Sequence, residues 1–392
     1  MGNMSITDSV LNVTVEGRSA TVARDRITAV RLVQNAAAVA RLLRRPVTLG
    51  TADRGLVVTA DRPYLLRDEA AEDWYQQLRV AFADSTVRFE RDVQFQNGDV
   101  VLAGSLTEPL VALRGSALIV PGSGPIDRDA DHKTMPLGVS RDMATALAAV
   151  GIASLRYDKR GMAASGGDFL TAGFLDNVAD AEAALEFVRT ATGTQPILIG
   201  HSEGGAIATR VAAGRFDLAG VVLFAAMAHD GVTTMRWQAQ QVATALPKFA
   251  AFVIKAFRID IAKQQQKSFD KILRSTTDTI RMQGQRVNAK WMREFLTYDP
   301  QPDLRTISVP VLAITGDKDL QVPSADLSVI ASLVQGPVET EAFEHLTHLL
   351  RNDEQAPSLA RYKALIREPM DQTVLSRLTD WALTTLAKEP TK

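Results

Sequence analysis

The hydrophobic positions of this chain follow one pattern over most of its length. From about residue 100 onward, short runs of consecutive Val, Ile and Leu alternate with longer segments of helical periodicity. Runs that are apolar at every position predict strands buried on both faces, and their alternation with helices is typical of a parallel sheet covered by helices. Strands are predicted at residues 100–103, 117–120, 152–155, 196–199, 221–224, 311–314 and 338–343. Helices are predicted at residues 141–150, 175–190 and 204–213, ended by Gly151, Gly193 and Gly214.

The first 88 residues have a different pattern. Short stretches there predict antiparallel strands, followed by a helix over residues 67–83 that turns Trp74 inward. The strands are predicted at residues 10–15, 19–23, 27–33, 46–49 and 56–59. We interpret residues 1–88 as a small N-terminal α+β domain and residues 89–392 as the larger α/β domain. Two interpretations of the small domain stay open: a module that resembles pleckstrin-homology domains, and a cap that packs on the larger domain or forms a homodimer contact.

The alternation of strands and helices breaks between residues 227 and 298. Amphipathic helical sequence rich in Lys, Arg and Gln fills this interval. Insertions of this kind are accepted at the carboxyl edge of a parallel sheet, where they can cover a binding site. We therefore predict a helical lid over about residues 228–300, with a fixed layer of packing helices as the alternative.

Composition narrows the class of protein. Of the 392 residues, 46% are hydrophobic and 23% are charged, which is ordinary for a soluble globular protein. The net charge of −1 gives no bias toward nucleic acid, and the absence of Cys excludes disulfides, thiolate metal sites and cysteine nucleophiles. The sequence shows neither a secretory signal pattern nor an apolar run of the roughly 18 residues that a membrane span needs. We expect a cytoplasmic protein without an integral membrane segment or a nucleic-acid partner.

The strongest chemical signal is the pentapeptide Gly200-His201-Ser202-Glu203-Gly204. This GxSxG pattern directly follows the predicted strand at residues 196–199 and precedes a predicted helix. A sharp turn between a strand and a helix lifts the serine oxygen above the carboxyl edge of the sheet, and the flanking glycines leave room for the crowded backbone. The context therefore predicts Ser202 as a nucleophile.

A serine hydroxyl needs a histidine base, which a carboxylate in turn orients. Downstream of Ser202, two candidates for each role follow predicted strands. Asp317 and Asp319 follow the strand at residues 311–314, and His345 and His348 follow the strand at residues 338–343. The order Ser, Asp, His is the one that a strand–turn–helix nucleophile requires. The position of the strands alone leaves both pairs open.

With these motifs in order, residues 95–390 resemble the α/β-hydrolase superfamily, in its serine esterase and S9/S33 peptidase-like branch. The resemblance implies Asp319 rather than Asp317, because the acid of the family sits three residues before a Val. It implies His348 rather than His345, because a histidine followed by two apolar residues is the family form. Asp317 is then expected to be a turn residue.

The resemblance also implies an oxyanion hole formed by two backbone N–H groups. One belongs to Glu203, and the other to Ser123 in the segment Pro121-Gly122-Ser123-Gly124-Pro125. Pro121 stands where the family often has a histidine, which leaves open the shape of the oxyanion hole on the side of this segment. A further segment, Tyr157-Asp158-Lys159-Arg160-Gly161, resembles the Asp-x-Arg-Gly turn that braces the site in the family. The histidines outside the pair, His132, His201 and His229, are interpreted as structural, with His229 also a candidate for the pocket wall.

These motifs imply a serine hydrolase that cleaves carboxylic esters through an acyl-enzyme. Its expected partner is a small-molecule ester or acyl substrate, and it is expected to need no metal or organic cofactor. A peptidase, thioesterase or acyltransferase with the same triad is the alternative. A non-catalytic binding scaffold is a third hypothesis, which the presence of a complete Ser, Asp and His set disfavours.

Overall fold

The computed structural model describes residues 3–7, 9–15, 18–33, 55–60, 63–67, 70–244 and 261–388. The strands are β1 (Asn3–Ile6), β2 (Val10–Val15), β3 (Arg18–Ala23), β4 (Ala29–Val33), β5 (Gly55–Thr59), β6 (Pro63–Arg67), β7 (Arg88–Asn97), β8 (Val100–Glu108), β9 (Gly115–Val120), β10 (Asp131–His132), β11 (Met135–Pro136), β12 (Ile152–Tyr157), β13 (Pro196–His201), β14 (Gly220–Phe224), β15 (Thr279–Met282), β16 (Gln285–Asn288), β17 (Val311–Gly316) and β18 (Val338–Phe343). The helices are α1 (Ala71–Ala81), α2 (Val139–Ala149), α3 (Phe174–Thr192), α4 (Glu203–Ala212), α5 (Gly231–Thr244), α6 (Ile261–Arg274), α7 (Ala289–Thr297), α8 (Gln301–Leu304), α9 (Asp326–Leu333), α10 (Tyr362–Leu365) and α11 (Gln372–Leu386).

An 11-stranded sheet organises these elements in the order β18-β17-β14-β13-β9-β12-β8-β7-β4-β5-β6. The six strands from β18 to β12 are parallel to one another. β8 is antiparallel to both of its neighbours, β12 and β7. The strands predicted from residue 100 onward are all present. Most contain an apolar run that is buried in this sheet, whereas the edge strand β18 mixes polar and apolar residues and is partly exposed.

Two hydrophobic cores cover the two faces of the parallel strands. Along β13, Ile197 and Ile199 belong to the core shared with α2 and α11. Leu198 between them belongs to the core shared with α3, α4 and α9. This alternation follows from the two-residue period of a strand, and it explains why every position of the run had to be apolar.

Strand β7 was not predicted, because it carries charged residues where an apolar run was sought. Glu90 and Asp92 are buried, and each has cationic partners on neighbouring elements. Glu90 pairs with Arg31 of β4 and Arg156 of β12, and Asp92 lies 3.1 Å from the guanidinium of Arg128. Buried charges are tolerated when they are paired in this way. A polar strand therefore occupies the middle of the sheet.

Three of the N-terminal strands, β4 to β6, continue the central sheet across residue 88, while β1, β2 and β3 form a separate antiparallel sheet. β4 pairs in parallel with β7, while β5 and β6 extend the sheet in antiparallel pairs. Helix α1 packs on these strands and buries Trp74, as predicted. The predicted strand at residues 46–49 lies outside the described residues. The division at residue 88, the pleckstrin-homology likeness and the cap all stay predictions.

The inserted segment is only partly helical in its described residues. Helices α5, α6 and α7 are present, but a hairpin of β15 and β16 separates α6 from α7. Gln283 and Gly284, in its two-residue turn, both have positive φ angles, which a type I′ turn requires. The predicted helical insertion therefore also contains a hairpin at residues 279–288 that the sequence did not indicate, and the lid role stays a prediction. Among the described helices, none combines the length and hydrophobicity needed to cross a bilayer.

Candidate active site

Ser202 occupies a strained turn between β13 and α4. Its backbone has φ 58° and ψ −121°, a conformation that non-glycine residues rarely adopt. Its N–H donates to the carbonyl oxygen of Phe224 at 2.9 Å, and its carbonyl oxygen accepts from the N–H of Gly205 at 2.8 Å. Gly204 is required here because a Cβ would clash with the carbonyl oxygen of Val120. The turn holds the hydroxyl at the carboxyl edge of the sheet.

A chain of two hydrogen bonds runs from Ser202 through His348 to Asp319. His348 Nε2 lies 3.0 Å from Ser202 Oγ, and His348 Nδ1 lies 2.7 Å from Asp319 Oδ2. The other carboxylate oxygen of Asp319 accepts from the backbone N–H groups of Gln321 and Val322, at 2.7 and 2.9 Å. With Nδ1 donating to Asp319, Nε2 is the atom free to accept the serine proton. The arrangement can generate a serine alkoxide.

The alternative residues, Asp317 and His345, lie in the same two loops but have other contacts. Asp317 accepts a hydrogen bond from the backbone N–H of His345 at 2.8 Å. His345 has a φ of 63°, its ring is 39% exposed, and its Nε2 lies 3.4 Å from the carboxylate of Glu344. Within the described residues, neither side chain hydrogen-bonds to Ser202. The hydrogen bond between Asp317 and His345 joins the loop that carries Asp319 to the loop that carries His348. Gly316 allows the two loops to approach closely, because a Cβ there would clash with the carbonyl oxygen of Leu346.

Asp319→Asn is expected to lower kcat toward esters by about 10⁴-fold. The amide oxygen is needed to accept from the N–H groups of Gln321 and Val322, so the amide NH₂ faces His348 Nδ1 and favours the tautomer whose Nε2 already carries a proton. Asp317→Asn keeps an oxygen that can accept from the N–H of His345, so its kcat should fall less than about 10-fold. Steady-state kinetics of the two purified variants make the comparison. A larger loss in Asp317→Asn than in Asp319→Asn would reverse the assignment.

His201, beside the predicted nucleophile, points away from Ser202 toward the backbone of His348. Its Nε2 donates to the carbonyl oxygen of His348 at 2.9 Å, and the two ring centroids are 5.0 Å apart. Burial, reinforced by the neighbouring His348, lowers the pKa of His201 to about 3. His201 is therefore neutral at pH 7 and fixes the main chain that carries His348.

Stability is expected to fall as the pH drops from 6.5 toward 3, partly through His201. Its folded pKa lies below its unfolded value near 6.5, so in this window the unfolded state binds a proton that the folded state does not. Each pH unit then removes up to about 1.4 kcal/mol from the free energy of unfolding, while above pH 6.5 nothing is lost. In urea unfolding between pH 7 and 5, the free energy of unfolding should fall less steeply for His201→Gln than for the wild type. The glutamine amide can donate to the same carbonyl oxygen of His348. Equal slopes in the two proteins would contradict this account.

The remaining histidines lie away from the hydrogen-bonded chain. His132 Nδ1 is 2.9 Å from Thr134 Oγ1 in the β10–β11 hairpin. His229 Nε2 lies 3.7 Å from the carboxylate of Asp326, and its side chain is 42% exposed. Neither residue lines the cavity over Ser202.

A cavity of about 190 Å³ opens over Ser202. Ser123 and Glu203, whose N–H groups are the predicted oxyanion donors, lie in its wall. Trp291 and Phe295 of α7 supply its aromatic side, where their rings stack at a centroid distance of 4.9 Å. Trp291 also lines a neighbouring, mainly apolar cavity of about 240 Å³. The inserted segment therefore shapes the space in which a substrate would sit.

The sequence reasoning missed the network around the Glu203 side chain. This buried carboxylate accepts from Lys159 Nζ at 3.0 Å, from Trp291 Nε1 at 2.7 Å and from Asn177 Nδ2 at 3.2 Å. One signal was available: Lys159 lies two residues after a buried strand, and Glu203 is a charged residue next to the predicted nucleophile. Opposite charges at the carboxyl edge of one sheet are expected to pair.

One acidic cluster in the described chain has ligand atoms close enough for a cation. Carboxylate oxygens of Asp127, Asp129 and Asp131 lie within 4.8 Å of one another. However, Asp127 accepts from the N–H groups of Asp129 and Asp131, and Asp131 accepts from the N–H of Gly138. These carboxylates already hold their own loop, so the expectation of a metal-free reaction stays a prediction.

This chain is similar to a family of hydrolases, to a named esterase and to hydrolases of known structure. Residues 136–355, more than half of the chain, match the serine aminopeptidase S33 family of hydrolases. Esterase EstD of Thermotoga maritima is 23% identical over 299 residues, which cover 73% of this chain and 67% of that protein. Est1E of Butyrivibrio proteoclasticus with bound ferulic acid superposes with a TM-score of 0.52 at 15% identity, covering 76% of this chain and 100% of that one. The α/β hydrolase GrgF of Penicillium sp. sh18 superposes with a TM-score of 0.50 at 18% identity, and the superposition covers 76% of this chain and 99% of GrgF. The predicted fold class is confirmed.

Proposed function

Because this chain belongs to the serine aminopeptidase S33 family of α/β hydrolases, we propose that it is a serine esterase with Ser202 as the nucleophile. The observation that carries the proposal is the hydrogen-bonded chain from Ser202 Oγ through His348 to Asp319, which opens on a cavity of about 190 Å³. Hydrolases of this kind need no group beyond such a chain and two oxyanion donors. The esterase name of the Thermotoga relative supports the choice of substrate class.

In the proposed reaction, Ser202 Oγ attacks the ester carbonyl carbon while His348 Nε2 takes the serine proton. The negative charge that develops on the carbonyl oxygen is bound by the N–H groups of Ser123 and Glu203. His348 then gives its proton to the leaving alcohol, and an acyl-Ser202 ester remains. Water repeats the same steps on this ester, with His348 as the base, and releases the acid. Asp319 stabilises the imidazolium in both halves of the reaction.

The cavity favours esters over peptides as substrates. A peptidase that binds a free α-amine needs a carboxylate available for it in the binding site. Among the described residues that line the cavity, the carboxylate is that of Glu203, and Lys159 already neutralises it at 3.0 Å. A volume of about 190 Å³ holds about six water-sized groups, which suits a short acyl chain.

The test combines active-site labelling with a substrate panel. A fluorophosphonate probe should modify the intact protein once, and peptide mass spectrometry should find the adduct on Ser202. The panel contains p-nitrophenyl esters from acetate to dodecanoate, a feruloyl ester, acyl thioesters and aminoacyl p-nitroanilides. The short esters should have the highest kcat/KM. A higher kcat/KM for the aminoacyl amides would make the protein a peptidase, and absence of labelling would refute the serine mechanism.

A further inference from the structure

We propose that Lys159 is a positioning residue for the oxyanion hole, because it fixes the direction of the Ser123 N–H. The inference rests on the proposed esterase function. The family resemblance implied only a bracing role for the segment around Lys159. The contacts of the Lys159 side chain give it a more specific role, which is to orient one peptide group of the oxyanion hole.

Lys159 connects the two segments that carry the proposed oxyanion donors. Its Nζ donates to the carbonyl oxygen of Gly122 at 3.1 Å and to the Glu203 carboxylate at 3.0 Å. Only 3% of the residue is exposed, so water does not compete for these bonds. Glu203 supplies one proposed donor itself, and Gly122 immediately precedes Ser123, which supplies the other.

The geometry of the peptide bond converts the first contact into an orientation. Carbonyl oxygen and N–H point in opposite directions across a trans peptide, and the described chain contains no cis peptide. The Gly122 carbonyl points toward Lys159, so the Ser123 N–H of the same peptide group points away from Lys159. Ser123 and Ser202 line one cavity, whereas Lys159 lines the neighbouring one. The N–H is thereby directed toward the cavity that contains Ser202.

This peptide needs an anchor because its surroundings give it conformational freedom. Gly122 and Gly124 flank Ser123, and Gly124 has a φ of 89° with open space where a Cβ would be. Glycines on both sides lower the cost of rotating the intervening peptide groups. A donor that moved with the loop would lose the preorganisation on which oxyanion stabilisation depends.

Lys159 can act as an anchor because its neighbours are held firmly. Asp158 forms an ion pair with Arg128 at 2.7 Å, and both side chains are buried. On the other side, Arg160 Nε donates to the carboxylate of Asp180 at 3.0 Å. The ammonium group is neutralised by Glu203, which accepts from Asn177 and Trp291 as well. The lysine is therefore part of a rigid wall.

The experiment compares Lys159→Met with the double variant Lys159→Met/Glu203→Gln. The first removes the anchor but leaves a buried carboxylate without its cation, whereas the second removes the anchor and both charges. Lys363→Met is the matched control, because Lys363 is exposed on α10. In both anchor variants, kcat toward p-nitrophenyl acetate should fall about 10- to 100-fold while KM changes little, since the lost interaction exists only in the transition state. The Ki of a trifluoromethyl ketone, which forms an oxyanion on Ser202, should rise by a similar factor.

Two results would overturn the inference. One is a double variant that folds, by circular dichroism and thermal unfolding, and keeps the kcat and Ki of the wild type. The other is a loss confined to Lys159→Met, which would assign the effect to the unpaired Glu203 carboxylate. Failure of the esterase proposal is distinguishable, since the wild type itself would then neither react with the fluorophosphonate probe nor hydrolyse the esters.

Discussion

Ser202→Ala is expected to lower kcat/KM toward p-nitrophenyl esters by about 10⁵- to 10⁶-fold and to abolish fluorophosphonate labelling. The reason is chemical rather than structural, because the alanine variant has no oxygen for His348 Nε2 to activate at 3.0 Å. Residual activity above that of water should remain, since the cavity and the backbone donors still bind substrate. End-point and continuous assays at saturating enzyme concentration measure this residual activity.

The control for this variant separates chemistry from folding. Alanine tolerates the φ of 58° at position 202 no better and no worse than serine, so thermal unfolding should be nearly unchanged. Ser332→Ala on α9 makes the same substitution at an exposed position and should keep full activity. A Ser202→Ala protein that retained a tenth of the wild-type rate would place the nucleophile elsewhere.

His348→Ala is expected to cost about 10⁴- to 10⁶-fold in kcat/KM, because no other base reaches Ser202 Oγ within the described residues. The matched change at the neighbouring histidine is His345→Asn rather than alanine. Asparagine tolerates the left-handed φ of 63° at this position, so its backbone N–H can still donate to Asp317. His345→Asn should therefore stay within about tenfold of the wild type.

The pH dependence of the two histidine variants adds an independent readout. His345→Asn should keep the wild-type dependence of kcat/KM on pH, because its base is unchanged. His348→Ala should lose the inflection that the base produces, and the remaining rate should rise with hydroxide concentration. If His345→Asn were the variant that lost the inflection, His345 would be the base.

The fold was largely predictable because β9, β13, β14 and β17 each contain a short run that is apolar at every position. Ile197, Leu198 and Ile199 between them contact both cores, and a strand inside a covered parallel sheet needs such residues in succession. Strand β7 could not be found in this way. Glu90 and Asp92 look like surface residues in the sequence, and only their partners, distant in the chain, show why they are buried.

The sequence predicted which loops carry the candidate site residues, but not which contacts the individual side chains make. Asp317 and Asp319 follow the same strand, and the spacing cannot show that one carboxylate accepts from the backbone of His345 while the other accepts from Gln321 and Val322. The family likeness favoured Asp319, and the contacts agree with that choice without testing it. The pairing of Lys159 with Glu203 joins residues 44 positions apart, and local sequence patterns carry no such information.

The two ends of the central sheet have a consequence for the association of one folded molecule with another. The two edge strands of this sheet are β6 and β18. An edge strand presents unpaired N–H and C=O groups, to which a strand of another chain can add. The first edge begins at Pro63, which cannot donate a hydrogen bond, and the last carries Glu339 and Glu341 in ion pairs with Arg377. Proline and charge thus blunt both finished edges, which protects the folded protein against aggregation by strand addition.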